Sequence, residues 1–275
     1  MRKAMKARWI RFGLPLGVLF LGLFWTSAAR AQGMDYPMPM PYPSPPPFYR
    51  FSFGFQTELS SREIVENEFV FNGANFVQTK GSADMVRLLA RFGVSLMDNF
   101  EIYGVVGGSN LSIDEFDRFN SGEKLAYGGG LHWVYYQIPT YGGSVDLFID
   151  YRILRFRSKD QVIFDPFVTQ ALVNETIVWN EHRVKLGVSG RHDFFEPYGG
   201  VRLSIVRGKD YIPIRNPPSN PGLVQDLNLR FEENNLFGLF FGTNIFFDPS
   251  EKAFFFIEGN VIDEDALNLG IRVRF

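Results

Sequence analysis

The sequence predicts an all-β chain: a transmembrane antiparallel up-and-down β-barrel of about ten strands behind an N-terminal signal peptide. Three observations carry that reading. Ten segments after residue 47 alternate apolar and polar residues with period two, the mark of a strand with two unlike faces. Their connections alternate between long and short with one exception near the end, a sorting that a soluble sandwich has no reason to show. Composition agrees, since 30 Phe, 11 Tyr and 27 Gly favour strands and tight turns, and the absence of cysteine excludes a disulfide framework and thiolate metal sites.

Residues 1–31 place Arg2, Lys3, Lys6, Arg8 and Arg11 ahead of an apolar run from Phe12 to Trp25 and finish in Ala29-Arg30-Ala31. This is the layout of a secretory signal peptide with a small-x-small cleavage site. The run is shorter than the roughly 20 residues an α-helix needs to cross a bilayer. Removing the segment takes six basic residues and no acid, leaving 22 basic against 30 acidic residues, a balance that argues against nucleic acid as a partner. Residues 32–47 follow with seven of the sixteen prolines. Such a stretch prefers an extended polyproline conformation and reads as a semi-rigid lead-in, either a plain spacer or a docking site for a proline-reading module.

The barrel is assigned to residues 48–275. Its strands read as 48–59, 84–96, 100–109, 124–137, 144–156, 176–192, 195–207, 234–247, 253–262 and the terminal ALNLGIRVRF. In the first, Phe51, Phe53 and Phe55 oppose Arg50, Ser52, Gln56 and Glu58; in the fifth, Leu147, Ile149, Tyr151 and Ile153 oppose Asp146, Asp150 and Arg152. In the last, Leu267, Leu269, Ile271, Val273 and Phe275 oppose Asn268, Gly270, Arg272 and Arg274. Most segments exceed the ~5 to 6 residues usual in soluble strands, whereas a tilted membrane strand needs about 9 to 11. The long connections 60–83, 110–123, 157–175 and 208–233 fall on one side of the barrel and the short ones on the other. The final connection, near Asp263 to Asp265, is short where a long one is due.

Either face of such strands could line the interior. The signal peptide, the strand lengths and the sorted loops favour lipid outside, and closure pairs the edge of a chain that stops in mid-strand. The inward charges are then Arg50, Arg87, Arg91, Arg152, Arg183, Lys185, Arg191, Arg202, Arg272 and Arg274 with Glu58, Glu101, Asp146, Asp150, Glu181 and Glu258. Eight strands leave an interior that side chains just fill, so ten enclose a narrow bore. Ion pairs across it would plug it or leave a weakly anion-selective pore. Arg272 and Arg274 would draw on Glu258 or Glu101.

With the signal peptide, the segments WNEHRVKLGVSGRHDFFEPYGGVRLS and NFEIYGVVGG and the terminal RVRF, the chain over residues 48–275 resembles the small outer-membrane β-barrel (porin-like) proteins of Gram-negative-type bacteria. That resemblance implies residence in the outer membrane, lipid as a partner, and Phe275 as a C-terminal aromatic read by the barrel-assembly machinery. Phe275 is equally a lipid-facing girdle aromatic. The family spans anchors, adhesins, small pores and a few enzymes, so membership does not choose a function.

Candidate chemistry is sparse. Among the histidines, His182 beside Glu181, with Asp160 and Asp165 in the preceding outer loop, would be the Asp/His pair of a rim hydrolase or protease. His132 is expected on the inner face and His192 at an inner turn. No His, Asp or Glu cluster has metal spacing, and the acidic tip 114–117 is too short for a calcium loop, so no cofactor or metal is expected. The glycine runs at 127–130, VVGG and YGGV lie inside strands and read as close backbone approach rather than phosphate cradles. The outer loops, with YIPIRNPPSNPGL and VIFDPFV, are where an extracellular ligand would bind, unless their apolar residues pack over the barrel mouth. The expected role is a non-enzymatic anchor, surface-interaction protein or narrow pore, with the rim hydrolase as the alternative.

Overall fold

The computed structural model describes residues 49–275 apart from 67–68, 72–73, 77–78, 115–118, 141–142, 165–170, 193, 216–221, 223 and 249. The signal peptide and the proline-rich lead-in lie outside the described residues. In chain order the strands are β1 (Phe51–Glu66), β2 (Phe69–Phe71), β3 (Ala74–Phe76), β4 (Thr79–Met97), β5 (Phe100–Asp114), β6 (Phe119–Asn120), β7 (Lys124–Thr140) and β8 (Gly143–Phe164). They continue as β9 (Ala171–Gly190), β10 (Phe195–Arg215), β11 (Val224–Glu233), β12 (Phe237–Phe246), β13 (Ala253–Val261) and β14 (Glu264–Arg274). All pairings are antiparallel, and β1 closes the ring by pairing β14 on one side and β4 on the other.

Ten strands form the ring on the side of the short turns: β1, β4, β5, β7, β8, β9, β10, β12, β13 and β14. The ring narrows above. The β13–β14 hairpin turns tightly through Ile262 and Asp263, with Ile262 at φ 87°, and it stops below the outer rim. A β-branched residue at positive φ is strained by about 1 to 3 kcal/mol, so the turn persists only because its surroundings hold it. Above it β11 pairs β10 over Arg207–Arg215 and β1 over Ile64–Glu66, taking the place that β12, β13 and β14 share lower down. The upper ring therefore has eight places. The one short connection that breaks the alternation of loop lengths is the cause of this taper.

The strands run further than alternation alone suggests. The connections 60–83, 110–123, 157–175 and 208–233, expected as loops, are largely strand, with β8 and β9 paired out to Phe164 and Ala171 and β10 and β11 out to Arg215 and Val224. The physical reason is a change of solvent along each strand. In the lower part Phe51, Phe55, Leu88, Phe92, Ile153, Leu186, Leu203, Ile205 and Ile271 lie exposed on the outer surface, while charges point in. That belt spans the 9 to 11 residues a tilted strand needs to cross a bilayer. In the upper part the exposed outward residues are Glu63, Lys80, Asp84, Arg155, Arg157, Lys159, Arg207, Lys209, Asn228, Arg230 and Glu232, and most of the inward ones are apolar, with Ser158, Glu175 and Asp210 buried among them. At the register of Glu181, Leu154 and Val206 the two faces exchange character.

The upper interior is a close-packed apolar cluster of Ile64, Met85, Leu111, Ile113, Phe119, Leu154, Phe156, Ile177, Trp179, Val206, Ile212, Ile214, Leu227, Leu229 and Phe231. Phe156 stacks on Trp179 at 5.7 Å between centroids and Trp179 meets Phe231 at 5.4 Å. Gly208 faces Phe231 so closely that any Cβ there would enter the ring, which is why a glycine holds that place in a strand. Ile212 and Ile214 of YIPIR, expected in a loop and there either exposed or packed over the barrel mouth, lie on β10 and are buried in this cluster.

Candidate functional site

Beneath the apolar cluster an ionic girdle crosses the lumen. Glu58 on β1 accepts from Arg87 at 2.9 Å, Arg152 at 2.9 Å and Arg183 at 3.0 Å. Glu181 on β9 accepts from Arg87 at 2.8 Å and Arg183 at 2.6 Å. Arg62 pairs with Glu233 at 3.1 Å and with Glu264, which also takes Arg183 at 3.0 Å and Arg202. Arg202 forks onto Asp263 through Nε and Nη2, and Gly238 leaves the room that this carboxylate occupies. Five guanidinium groups thus face five carboxylates, every one of the ten residues at most 7% exposed, so charge balances without solvent. Balance is required, because an unpaired charge in such a place costs several kcal/mol.

The girdle and the cluster meet through cation–π contacts. The Arg62 guanidinium lies 5.8 Å from the Trp179 ring and that of Arg87 5.6 Å from the Phe156 ring. Desolvated contacts of this type contribute about 2 kcal/mol. Together the two layers place buried side chains across the interior at two successive levels.

Below the girdle a cavity of about 190 Å³ opens toward the side of the short turns. Arg91 donates to Glu101 at 2.7 Å and lies 3.4 Å over the Tyr103 ring, while Tyr103 donates to Asp150 at 3.1 Å. His132 Nδ1 is 3.5 Å from Asp150, and Lys185 donates to Glu258 at 2.5 Å. Phe148, Tyr198 and Phe240 form an aromatic patch on the same wall.

The sequence-read lumen charges divide among these levels. Arg87, Arg152, Arg183 and Arg202 are in the girdle, while Arg91, Glu101, Asp146, Asp150, Lys185, Glu258, Arg272 and Arg274 line the cavity. Arg272 lies 3.9 Å from Glu101 across the lumen, whereas Arg274 reaches Glu251 of the β12–β13 turn at 3.8 Å rather than Glu258. Arg50 immediately precedes β1 and is exposed at the lower rim, where its carbonyl accepts from the Ser95 amide at 2.8 Å. Arg62, Glu233, Asp263 and Glu264 were not read, because each falls in a stretch that resembles a loop or turn. Phe275 lies at the lower rim, where its backbone pairs with Phe51 in both directions and its ring remains 64% exposed.

Among the described residues His182 and Asp160 of the rim pair are not brought together. His182 points outward, between Ile153 and Ile205 in register, and its Nδ1 is 2.9 Å from the Tyr151 hydroxyl, while Glu181 points inward. Asp160 is spent on the Asn120 amide at 2.8 Å, and Asp165 lies outside the described residues. Among the described residues no group of three His, Asp or Glu is placed to hold a metal ion.

No protein-family model matches the chain, and no curated protein matches it. Similar solved structures exist. The outer membrane protease OmpT of Escherichia coli is 10% identical, with 82% of this chain and 97% of that one covered at a TM-score of 0.43. The translocator domain of the autotransporter NalP of Neisseria meningitidis is 9% identical, covering 83% and 90% at 0.43. The β domain of the Bordetella autotransporter BrkA is 11% identical, covering 83% and 100% at 0.45. At such identities no role passes to individual residues. The architecture itself, an even-numbered closed antiparallel ring with an apolar outer belt and short turns at one end, is that of an outer-membrane β-barrel protein.

Proposed function

We propose that the chain is a sealed, non-enzymatic outer-membrane anchor that holds an eight-stranded body outside the membrane as an interaction surface. The observation that carries this is the buried ionic girdle with the apolar, aromatic cluster packed directly above it. A pore needs a continuous polar path, and here ten buried charges spend themselves on one another. A membrane barrel does not need strands that stand about ten residues clear of the belt with a core of their own, and such a body is what surface recognition uses. His182 on the lipid-side face beside Tyr151 supports the non-enzymatic reading over the rim hydrolase. On this reading the exposed ring of Phe275, beside the closing strand, serves as the signal for barrel assembly.

Planar-bilayer recording tests the proposal. Protein shown to be inserted by flotation with the vesicles is expected to give no conductance steps, and stable steps from the unaltered chain would overturn the sealed anchor.

A further inference from the structure

Just above the belt, the outward faces of β8, β10 and β11 carry six cations, with β9 contributing none between them. Register aligns Arg155 with Asn180, Arg207 and Glu232 in one row, and Arg157 with Val178, Lys209 and Arg230 in the next; Lys159 stands above them. All six are exposed, and among the described residues none of them has an ion-pair partner. Neighbouring strands lie ~4.8 Å apart and alternate residues ~6.8 Å apart, so the cations fall within a patch about 14 Å on a side. One acid, Glu232, stands within it.

This is not a general property of the outer wall at that height. On β1, β4 and β5 the outward positions are Ser61, Glu63, Lys80, Ser82, Asp84, Asn110 and Ser112, and the Lys80 ammonium is already held 3.2 Å from Glu63. The basic patch is also continuous with lipid-facing surface, since Ile153 and Ile205 sit one alternate position below Arg155 and Arg207 and both are exposed. Chains of a lipid lying along those residues would carry its headgroup into the cations.

We infer that the outward face of β8–β11 is a docking site for phosphorylated lipid headgroups of the outer leaflet. Guanidinium forks match phosphate oxygens in pairs, and Arg157, Lys209 and Arg230 are spaced to hold two phosphates at once. Cations at this level interact with anionic headgroups and little with zwitterionic ones. The inference concerns the outer wall and does not depend on whether the lumen conducts.

The test uses the full chain in phosphatidylcholine nanodiscs with or without phosphatidic acid, lipid retention being counted by native mass spectrometry. The wild-type protein is expected to retain phosphatidic acid, and the R157Q/K209Q/R230Q variant to bind it about tenfold or more weakly, since three phosphate-facing cations are lost. The R157K/R230K variant keeps the charge but loses the forks and is expected to bind more weakly than wild type and more tightly than the triple variant, while K80Q on the opposite wall is expected to keep the wild-type affinity. Heat-modifiable migration on a gel confirms that each variant is folded. Equal retention by the triple variant, or equal retention of diacylglycerol, would overturn the inference. Binding of inorganic phosphate as tight as that of phosphatidic acid would also overturn it, by showing a site for the free anion.

Discussion

Along β8 the inward side chains below Ile153 are Asp146, Phe148, Asp150 and Arg152, and those above it are Leu154 and Phe156; the outward ones change the other way, from Leu147, Ile149 and Tyr151 to Arg155, Arg157 and Lys159. β9 and β10 exchange faces at the same height, after Glu181 and Ile205. One continuous hydrogen-bonded cylinder therefore contains two proteins in the physical sense. The upper half is held as a soluble barrel is, each buried Phe, Trp or Ile contributing about 1.5 to 3 kcal/mol by leaving water. The lower half cannot gain that way, because its apolar face is in lipid on the outside. Its interior is free to be charged, and it is held by backbone closure and by ion pairs whose worth depends on all of them being present.

The largest break in this comparison is expected from Glu58→Ala. It removes the acceptor shared by Arg87, Arg152 and Arg183 and leaves buried guanidinium groups short of one negative charge. Removing one partner of a buried pair costs about 3 to 5 kcal/mol, and three donors put this case at the top of the range. Urea titration in detergent should show a lowered midpoint for the whole barrel, because the girdle joins strands from β1 to β14. A midpoint within error of wild type would mean that water, not Glu58, compensates those arginines.

A somewhat smaller and more local effect is expected from Trp179→Ala. Trp179 is fully buried between Phe156 and Phe231, and truncating such a ring in a packed core costs about 3 to 5 kcal/mol, here at the lower end because Trp179 Nε1 has no hydrogen-bond partner among the described residues and its burial already carries a penalty. Amide exchange should speed up in β10 and β11 above Val206 while β12, β13 and β14 keep their protection. Equal loss of protection in both halves would show that the outer body and the membrane ring unfold as one unit.

How much of this was legible in the sequence depends on which half is considered. In the lower half, alternation such as Leu267 to Phe275 against Asn268 to Arg274 marks both the strand and its lipid side. In the upper half alternation continues, but its phase inverts. Leu154 and Phe156 share parity with Asp150 and Arg152, so a reader who follows the apolar parity sees β8 end at Phe156 and a loop begin. The same inversion hides β11, where Leu227, Leu229 and Phe231 alternate with Asn228, Arg230 and Glu232 inside an expected loop. It also hides Arg62, Glu233 and Glu264, which become girdle residues only once their strands are known to be strands and the β13–β14 hairpin is known to be short. A phase flip within one long alternating run, charged-in to apolar-in, is the signal that could have found them.

The smallest effect, and the one that most sharpens the boundary between the halves, concerns Glu233. It belongs to β11, whose outward neighbours Asn228, Arg230 and Glu232 are in water, and its own side chain enters the barrel at the floor of the apolar cluster. Burial there pushes its carboxyl up to about 7, against the opposing pull of Arg62 at 3.1 Å. An acid whose folded value exceeds its unfolded value binds more protons when folded, so its contribution to stability is fullest below the unfolded value near 4.5 and declines as pH rises through about 7. Between pH 8 and pH 5 a shift of that size corresponds to about 2 to 3 kcal/mol. Glu233→Gln removes the titration, so the difference in urea midpoint between wild type and variant should shift in favour of wild type on going from pH 8 to pH 5. A pH-independent difference would show that the pairing with Arg62 keeps Glu233 ionised over this range and that burial does not govern it.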